Sequence, residues 1–355
     1  MNDRIFIIAE AGDQHFGSIE LAKEMALRSK IAGADAVKYQ HHLPDEEMLK
    51  DIPQSGNMNE PLYDFLIKNA LDIKGHSEVS SYCKKIGIEY LCTPFSYKAS
   101  LELVEYTDIK RFKIGSGEMT DIPSLLKIAA LGLPMIISTG MSTYKEIDAT
   151  YNALKSCVND LSFLYCVSEY PPSYSDMNLL NIQTMKKRYP DIAIGHSDHT
   201  PDLYTSFAAA ALGAKIIEKH VILDKNMPGP DQSVSIDFHD LSNLVDGVRK
   251  IELSMGNVKK IHEKEKEIRE WAFRSVVAIQ DIPKGKEITE DMVWTKRPGT
   301  GIPSNDIGKI IGSIAKVDID KDTLIKWSQI ELWYLILSLD NFRDETQSYL
   351  DSSVI

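Results

Sequence analysis

From Ile5 to about residue 255, short β-rich apolar runs alternate with segments of helical type. Eight runs read as strands: Phe6 to Ala9, Ala36 to Tyr39, Glu89 to Cys92, Phe112 to Ile114, Met135 to Ser138, Phe163 to Val167, Ile192 to Ile194 and Lys215 to Ile217. Between them apolar residues recur at helical spacing, as in Leu21, Met25, Ala26 and Ile31, or Leu180, Ile182, Met185 and Tyr189, which lays one stripe along a helix. A further helix is expected over Asp202 to Leu212. Strict βα alternation implies a parallel sheet with helices outside it, and eight units close the sheet into a (β/α)8 TIM barrel. An open, doubly wound sheet is the structural alternative, but its GxGxxG signature is absent. The nearest stretch, Gly115-Ser116-Gly117, has no third glycine at the required spacing.

The pattern then changes. Residues 256–270 are charged and poor in large apolar side chains, which predicts a solvated, partly helical linker. Short strands with turns follow, Ser275 to Ile279, the turn at Pro283-Lys284-Gly285, and Val293 to Gly299, giving a small, mostly β module over 271–331. The tail, 332–355, joins the apolar run Leu332 to Leu337 to a polar end and reads either as a docking helix or as a processing scar. The domain expectation is therefore a barrel over 1–255, the linker, the β module and the tail.

Composition narrows the function class. The chain has 355 residues, 43% hydrophobic and 26% charged, enough to bury a substantial core. Its net charge is −12, with no basic cluster long enough to track a phosphate backbone, so nucleic acid is not an expected partner. No apolar run approaches the roughly 20 residues of a membrane span. The N-terminus runs from Met1-Asn2-Asp3-Arg4 straight into Ile5 without a signal-peptide pattern, so the expected compartment is the cytoplasm. Cys83, Cys92, Cys157 and Cys166 lack CxxC spacing and read as reduced, buried thiols rather than as nucleophiles.

The chemistry lies at the strand ends. Glu10, Lys38, Gln40, Thr93, Lys113, Ser116, Glu118, Ser138, Ser168, Tyr170, Ser197, His199, Glu218 and His220 fall there, with Asp231 in the following loop. C-terminal strand ends are where barrel enzymes keep their active sites. A lone lysine or glutamate inside a packed barrel is costly unless paired or facing a polar cavity. Two lysines and several acids together therefore point to a charged ligand, since lysines with serines hold phosphate or carboxylate through charge-assisted hydrogen bonds. His199 and His220, one strand apart, suggest a divalent metal completed by water and substrate oxygens. Each residue also has a structural reading: His199 as a cap on the helix near Pro201, His220 paired with Glu218, the lysines balancing nearby acids, Ser138 as turn chemistry. His41-His42 is expected to face solvent in a loop.

At these residues the chain resembles the sialic acid synthase family, which condenses phosphoenolpyruvate with an N-acylated sugar aldehyde such as N-acetylmannosamine. Nine motifs in order, over residues 5 to about 331, carry the resemblance: Ala9-Glu10-Ala11-Gly12, Val37-Lys38-Tyr39-Gln40, Thr93-Pro94-Phe95-Ser96, Lys113-Ile114-Gly115-Ser116-Gly117-Glu118, Ser138-Thr139-Gly140-Met141, Ser197-Asp198-His199-Thr200, Glu218-Lys219-His220, Pro228-Gly229-Pro230-Asp231 and Lys296-Arg297-Pro298-Gly299. It implies a barrel followed by an antifreeze-like SAF module that, in a homodimer, reaches the partner's barrel. It also implies Mn2+ or Mg2+ on His199 and His220. Phosphoenolpyruvate would be bound by Lys38, Lys113, Ser116, Ser138 and Ser197, with Ser168 beside them. The sugar would be bound by Glu10, Gln40, Tyr170 and Asp231, with Arg297 reaching its N-acyl group from the neighbouring subunit. Thr93 and Phe95 join the substrate-binding set. Glu118 and Glu218 would lie beside the reacting carbons, and Glu10 or Glu118 would take the proton of the attacking water. The chain departs from the family after the first strand, where Asp13-Gln14-His15 replaces the usual Asn-His and Phe16 a commonly polar residue; this bears on the sugar side and not on the reaction.

Two other readings compete. A legionaminic acid synthase would use 2,4-diacetamido-2,4,6-trideoxymannose with the same motifs, whereas Pro228 to Asp231 looks unlike a pseudaminic acid synthase. A noncatalytic sugar-phosphate sensor would require losses at the lysine or histidine positions, and none is present.

Overall fold

The structure is a computed structural model and describes residues 4–52 and 60–332. Eight strands, β1 (Phe6–Glu10), β2 (Ala36–His41), β3 (Glu89–Pro94), β4 (Phe112–Ile114), β5 (Met135–Ser138), β6 (Leu161–Cys166), β7 (Ala193–Asp198) and β8 (Ile216–His220), close into one parallel barrel in chain order. The helices are α1 (Ile19–Ala32), the one-turn α2 (Pro44–Glu47), α3 (Leu62–Asn69), α4 (Ile73–Ile86), α5 (Tyr97–Tyr106), α6 (Ile122–Ala129), α7 (Tyr144–Leu154), α8 (Asn181–Arg188), α9 (Tyr204–Ala211) and α10 (Phe238–Ser254). All eight expected strands form. The last two run further than the apolar pattern suggests, so His196 to Asp198 and Glu218 to His220 are themselves strand residues.

Strand alternation builds the barrel in layers. Outward-facing Ile7, Val37, Cys92, Phe112, Ile137, Phe163 and Ile217 pack beneath the helices in the main core. Inward, Ile8, Ala36, Leu91, Ile136, Leu164 and Ile216 form a dry floor, each isoleucine and leucine contributing about 1.5–3 kcal/mol by burial. Gly195 completes that floor, because a Cβ there would lie 2.5 Å from both the Ile216 carbonyl and Leu164. Two residues further along each strand, the same inward face turns polar, with Glu10, Lys38, Thr93, Ser138, Cys166, Ser197 and Glu218. Side-chain caps fix where helices begin: Ser18 accepts from Leu21 N, Asp72 from Gly75 N, and Thr143 forms a capping box with Glu146. Each cap is worth about 1 kcal/mol.

The chain divides into two compact units, Met1–Gly256 and Asn257–Ile355. The second opens with α11 (Glu263–Ala272), which has no buried residue and lies where the charged linker was expected. It continues with β9 (Ser275–Ala278) antiparallel to β10 (Val293–Lys296), the short α12 (Ile307–Ile310), and β11 (Ile314–Ala315) antiparallel to β12 (Ile330–Glu331). Val276, Ala278, Ile288, Val293, Ile310 and Ile325 are in its own core. Beyond Leu332, the expected tail lies outside the described residues. Among the described residues no helix is long and apolar enough to cross a membrane.

Candidate active site

Barrel register brings the strand-end residues together. Glu10 on β1 is level with His220 on β8 and with Lys38 on β2, Gln40 with Thr93, and Ser197 with Glu218. They line a cavity of about 450 Å³ at the C-terminal mouth, which also takes in Phe95, Lys113, Ser116, Glu118, Ser138, Ser168, Tyr170, His199 and Asp231. A cavity of about 510 Å³ at the opposite end, lined by Arg4, Arg111, Lys186 and Lys215 among others, holds none of these residues.

One side of the mouth is cationic and nearly closed to water. Lys38 is 4% and Lys113 2% exposed. Lys38 Nζ lies 3.2 Å from Glu10 and 3.0 Å from Glu218, whereas Lys113 Nζ is 3.5 Å from Glu218 and donates to Ser138 Oγ at 2.7 Å. Burial works against both ammonium groups. In Lys38 the two close carboxylates outweigh it and raise the pKa, whereas burial prevails in Lys113, which is lowered. Glu218 is driven down to about 2 because Lys113 and Lys38 overcome its own burial, and it accepts from Ser197 Oγ at 2.9 Å. Beside them Gly140 N donates to Ser116 Oγ at 3.0 Å. A Cβ on Gly140 would collide with Ser168 Oγ and come within 2.8 Å of Ser116 Oγ. Thr93 Oγ1 is buried with no hydrogen-bond partner. Two lysines, four serines and a threonine thus converge where an anion would be held by charge-assisted bonds.

Across the mouth His199 and His220 stand with ring centroids 5.3 Å apart. His199 Nδ1 donates to the Val167 carbonyl at 2.8 Å, and Nε2 faces the Tyr170 hydroxyl at 3.1 Å. With Nδ1 held by a carbonyl, Nε2 is the nitrogen that could ligate a metal once its proton is displaced. His220 Nδ1, 3.4 Å from Asp231 Oδ2, has no hydrogen bond. Burial works against a charged His199, yet Cys166, the Val167 carbonyl and Asp231 raise it to about 9, so the surroundings favour positive charge. The donor set fits an open divalent-metal site. Among the described residues no group of three or more His, Cys, Asp or Glu is placed to hold a metal ion, so a metal here would rest on the two imidazoles, with water and substrate supplying the remaining oxygens.

Behind the histidines, on the outer face of the same strands, Asp198 and Lys219 form an ion pair at 3.3 Å, both fully buried. Asp198 also accepts from Thr200 N at 2.8 Å and from Thr205 Oγ1 at 2.7 Å, while Lys219 donates to the Thr200 carbonyl. This network pins the turn that carries Ser197 and His199.

The third side is acidic. Gln40 Nε2 donates to Glu10 Oε1 at 2.7 Å, and Glu118, raised by burial, reaches over Gly115. Here the structure corrects one expectation. His41 and His42 are buried, not solvent-facing. Alternation continues past the end of β2, so His42 follows Lys38 and Gln40 inward while His41 turns out to Glu102 at 2.9 Å. His42 Nδ1 donates to Glu47 at 2.9 Å, Nε2 lies 3.1 Å from Gln40 Oε1, and the ring stacks on Phe95 at 4.1 Å. Asp13, expected to bear on the sugar side, lines the cavity, and so does His42, which together with its partner Glu47 was not among the expected site residues. Of the cysteines, Cys83, Cys92 and Cys166 are buried as expected, but Cys157 is exposed. Arg297 belongs to the second unit, where its Nε donates to the Ala272 carbonyl at 3.0 Å and its guanidinium lies over Trp271.

Fold and site define a barrel synthase of the sialic, legionaminic and pseudaminic acid type. The chain belongs to the NeuB family, which residues 25–260 match, and residues 273–331 match the SAF domain. It is 36% identical over 338 residues to the N,N'-diacetyllegionaminic acid synthase of Legionella pneumophila, covering 92% of this chain and 94% of that one. The synthase of the same name from Campylobacter jejuni is 37% identical, covering 91% and 99%. Among solved structures, the N-acetylneuraminic acid synthetase of Leptospira borgpetersenii, in complex with citrate, superposes with a TM-score of 0.68 at 30% identity, covering 75% of this chain and 90% of that one.

Proposed function

We propose that the chain condenses phosphoenolpyruvate with an N-acylated, mannose-type sugar in its open-chain aldehyde form, adds water, and releases a nine-carbon keto acid and phosphate. The observation that carries this reading is the pairing, within one cavity, of a buried two-lysine anion site with two adjacent imidazoles. Of the two acceptors compatible with the sequence, N-acetylmannosamine and 2,4-diacetamido-2,4,6-trideoxymannose, the second is favoured by the two diacetyllegionaminic acid synthases at 36% and 37% identity.

In this reading Lys38 and Lys113 hold the phosphate and carboxylate of phosphoenolpyruvate, aided by Ser116, Ser138, Ser168, Ser197 and Thr93. Glu218 keeps both lysines charged and aimed while the site is empty of anion. Gln40, Tyr170 and Asp231 orient the sugar so that its aldehyde carbon meets C3 of phosphoenolpyruvate. A Mn2+ or Mg2+ ion on His199 and His220 would supply Lewis-acid polarisation of the aldehyde oxygen. New C–C bond formation leaves cationic character at C2, and water adds there while Glu10 or Glu118 takes its proton. Breakage of the C2–O bond then sends the electron pair to phosphate and leaves the ketone. Arg297, a fixed cation in the SAF domain, would reach the N-acyl carbonyl of a sugar bound to a partner chain, making a homodimer the working unit. The test is phosphate release: it should require both phosphoenolpyruvate and one of the two acceptor sugars, and no release with either sugar would overturn the reading.

A further inference from the structure

Asp13 stands in the loop after β1 and lines the cavity beside His42. Gly12, at φ 51°, turns the backbone out of β1 and delivers the next side chain to the rim of the acceptor side. Asp13 is buried, at 6% exposure; its Oδ2 lies 3.5 Å from His42 Nε2, and its Oδ1 has no hydrogen-bond partner. His42 is already committed to Glu47 and Gln40. A buried carboxylate oxygen with no donor is costly and calls for one from outside. Apart from His42, whose ring nitrogens already face Glu47 and Gln40, the neighbouring charges are acidic, Asp231, Glu10 and Glu47, so the missing group is a hydrogen-bond donor and not another anion.

The cavity that takes in Asp13 is apolar over part of its lining. Leu62, Phe65 and Leu66 of α3 line the same cavity with Phe95, which stacks on His42. The loop after Asp13 lies against the end of α3, where a Cβ on Gly17 would sit 3.4 Å from the Asn69 carbonyl. A sugar hydroxyl would satisfy the carboxylate but leave this lining bare. An acylamino group satisfies both, through its N–H and its methyl.

We propose that Asp13 is a specificity-determining residue that accepts the N–H of a second acylamino group on the acceptor sugar, with the acyl methyl against Leu62, Phe65 and Phe95. The inference rests on the synthase reading above. It is tested by steady-state kinetics of wild type, Asp13→Ala and Asp13→Asn with 2,4-diacetamido-2,4,6-trideoxymannose and with N-acetylmannosamine, at saturating phosphoenolpyruvate. Wild type should prefer the diacetamido sugar. Asp13→Ala should lower kcat/KM for that sugar by about 10- to 100-fold, mostly through KM, as expected for a lost hydrogen bond to a charged group. Asp13→Asn should fall between the two, and both variants should keep the KM for phosphoenolpyruvate within about twofold while the preference between sugars collapses. Turnover of neither sugar by wild type would remove the synthase reading itself. Turnover without preference for the diacetamido sugar, or a preference that survives Asp13→Ala, would overturn the role of Asp13 alone. Because Asp13→Asn keeps the side-chain shape, it serves if the alanine variant does not fold.

Discussion

Replacing Lys113 with methionine separates the charge of this side chain from its bulk. Lys113 is 2% exposed, and its ammonium makes two hydrogen bonds, to Ser138 Oγ at 2.7 Å and to the Ile114 carbonyl at 3.1 Å, and one longer ion pair, 3.5 Å from Glu218. An anion bound in the mouth would lose one charge-assisted bond, about 1.5–3 kcal/mol, which is about 10- to 150-fold in KM at about 1.4 kcal/mol per decade. The acceptor sugar is neutral, so its KM should stay within about twofold. Stability should move differently. Burial holds the folded-state pKa of Lys113 below its unfolded value, so the charged side chain destabilises the fold below the folded pKa, a penalty relieved as pH rises toward the unfolded pKa. Methionine removes that penalty at pH 7–8, fills the same space, and leaves Glu218 with Lys38 at 3.0 Å and Ser197 at 2.9 Å. The variant should therefore melt no lower than wild type while binding phosphoenolpyruvate poorly. Initial rates against each substrate, with thermal melts in parallel, check this. Equal losses for both substrates, or a KM for phosphoenolpyruvate within threefold of wild type, would refute the assignment of Lys113 to the anion.

Burial pushes the Asp13 carboxyl up to about 6 from 3.8, so the folded chain holds this proton more tightly. Its stabilising contribution is full below about pH 4 and is lost as pH rises through 6, by about 2–3 kcal/mol. Asp13→Asn should accordingly melt higher than wild type at pH 8, with the gap closing near pH 4; equal melting at pH 8 would contradict the burial argument. Chelator-treated enzyme should lose turnover and regain it with Mn2+ or Mg2+, and His199→Ala should abolish Mn2+ binding followed by electron paramagnetic resonance; full activity in metal-free enzyme would remove the histidines from the metal role. Mixing the inactive variants Arg297→Ala and His220→Ala under subunit exchange should restore about a quarter of wild-type activity, since half the dimers are mixed and each mixed dimer has one complete site. No recovery despite proven exchange would mean that Arg297 does not complete a partner's site.

The barrel was readable because each strand is a short apolar run bounded by helical periodicity, and the same alternation that places Ile8 and Ile216 in the floor turns Glu10 and Glu218, two residues on, toward the cavity. His42 was missed although the signal was present: Lys38, Gln40 and His42 are spaced by two, and a strand keeps such residues on one face. Reading the histidine pair as a loop ended β2 too early. Asp13 and Glu47 carried no comparable signal, because their burial depends on how the loop after β1 and the turn of α2 meet His42, contacts that local pattern does not encode. The Asp198–Lys219 pair was visible only as motif letters, since an ion pair buried between the neighbouring strands β7 and β8 is a tertiary fact. At α11, charge and the lack of an apolar stripe gave solvent exposure correctly but left open how far the helix runs.

The central claim is that the two-lysine pocket and the histidine pair serve a single condensation in which phosphoenolpyruvate loses phosphate by C–O cleavage. Phosphoenolpyruvate labelled with oxygen-18 in its C2–O–P bridge tests it directly, with released phosphate followed by phosphorus NMR and the keto acid by mass spectrometry. In the presence of 2,4-diacetamido-2,4,6-trideoxymannose or N-acetylmannosamine, labelled phosphate and the nine-carbon product should appear in a one-to-one ratio, and neither should form without the sugar. Unlabelled phosphate, or no sugar-dependent phosphate with either acceptor, would contradict it.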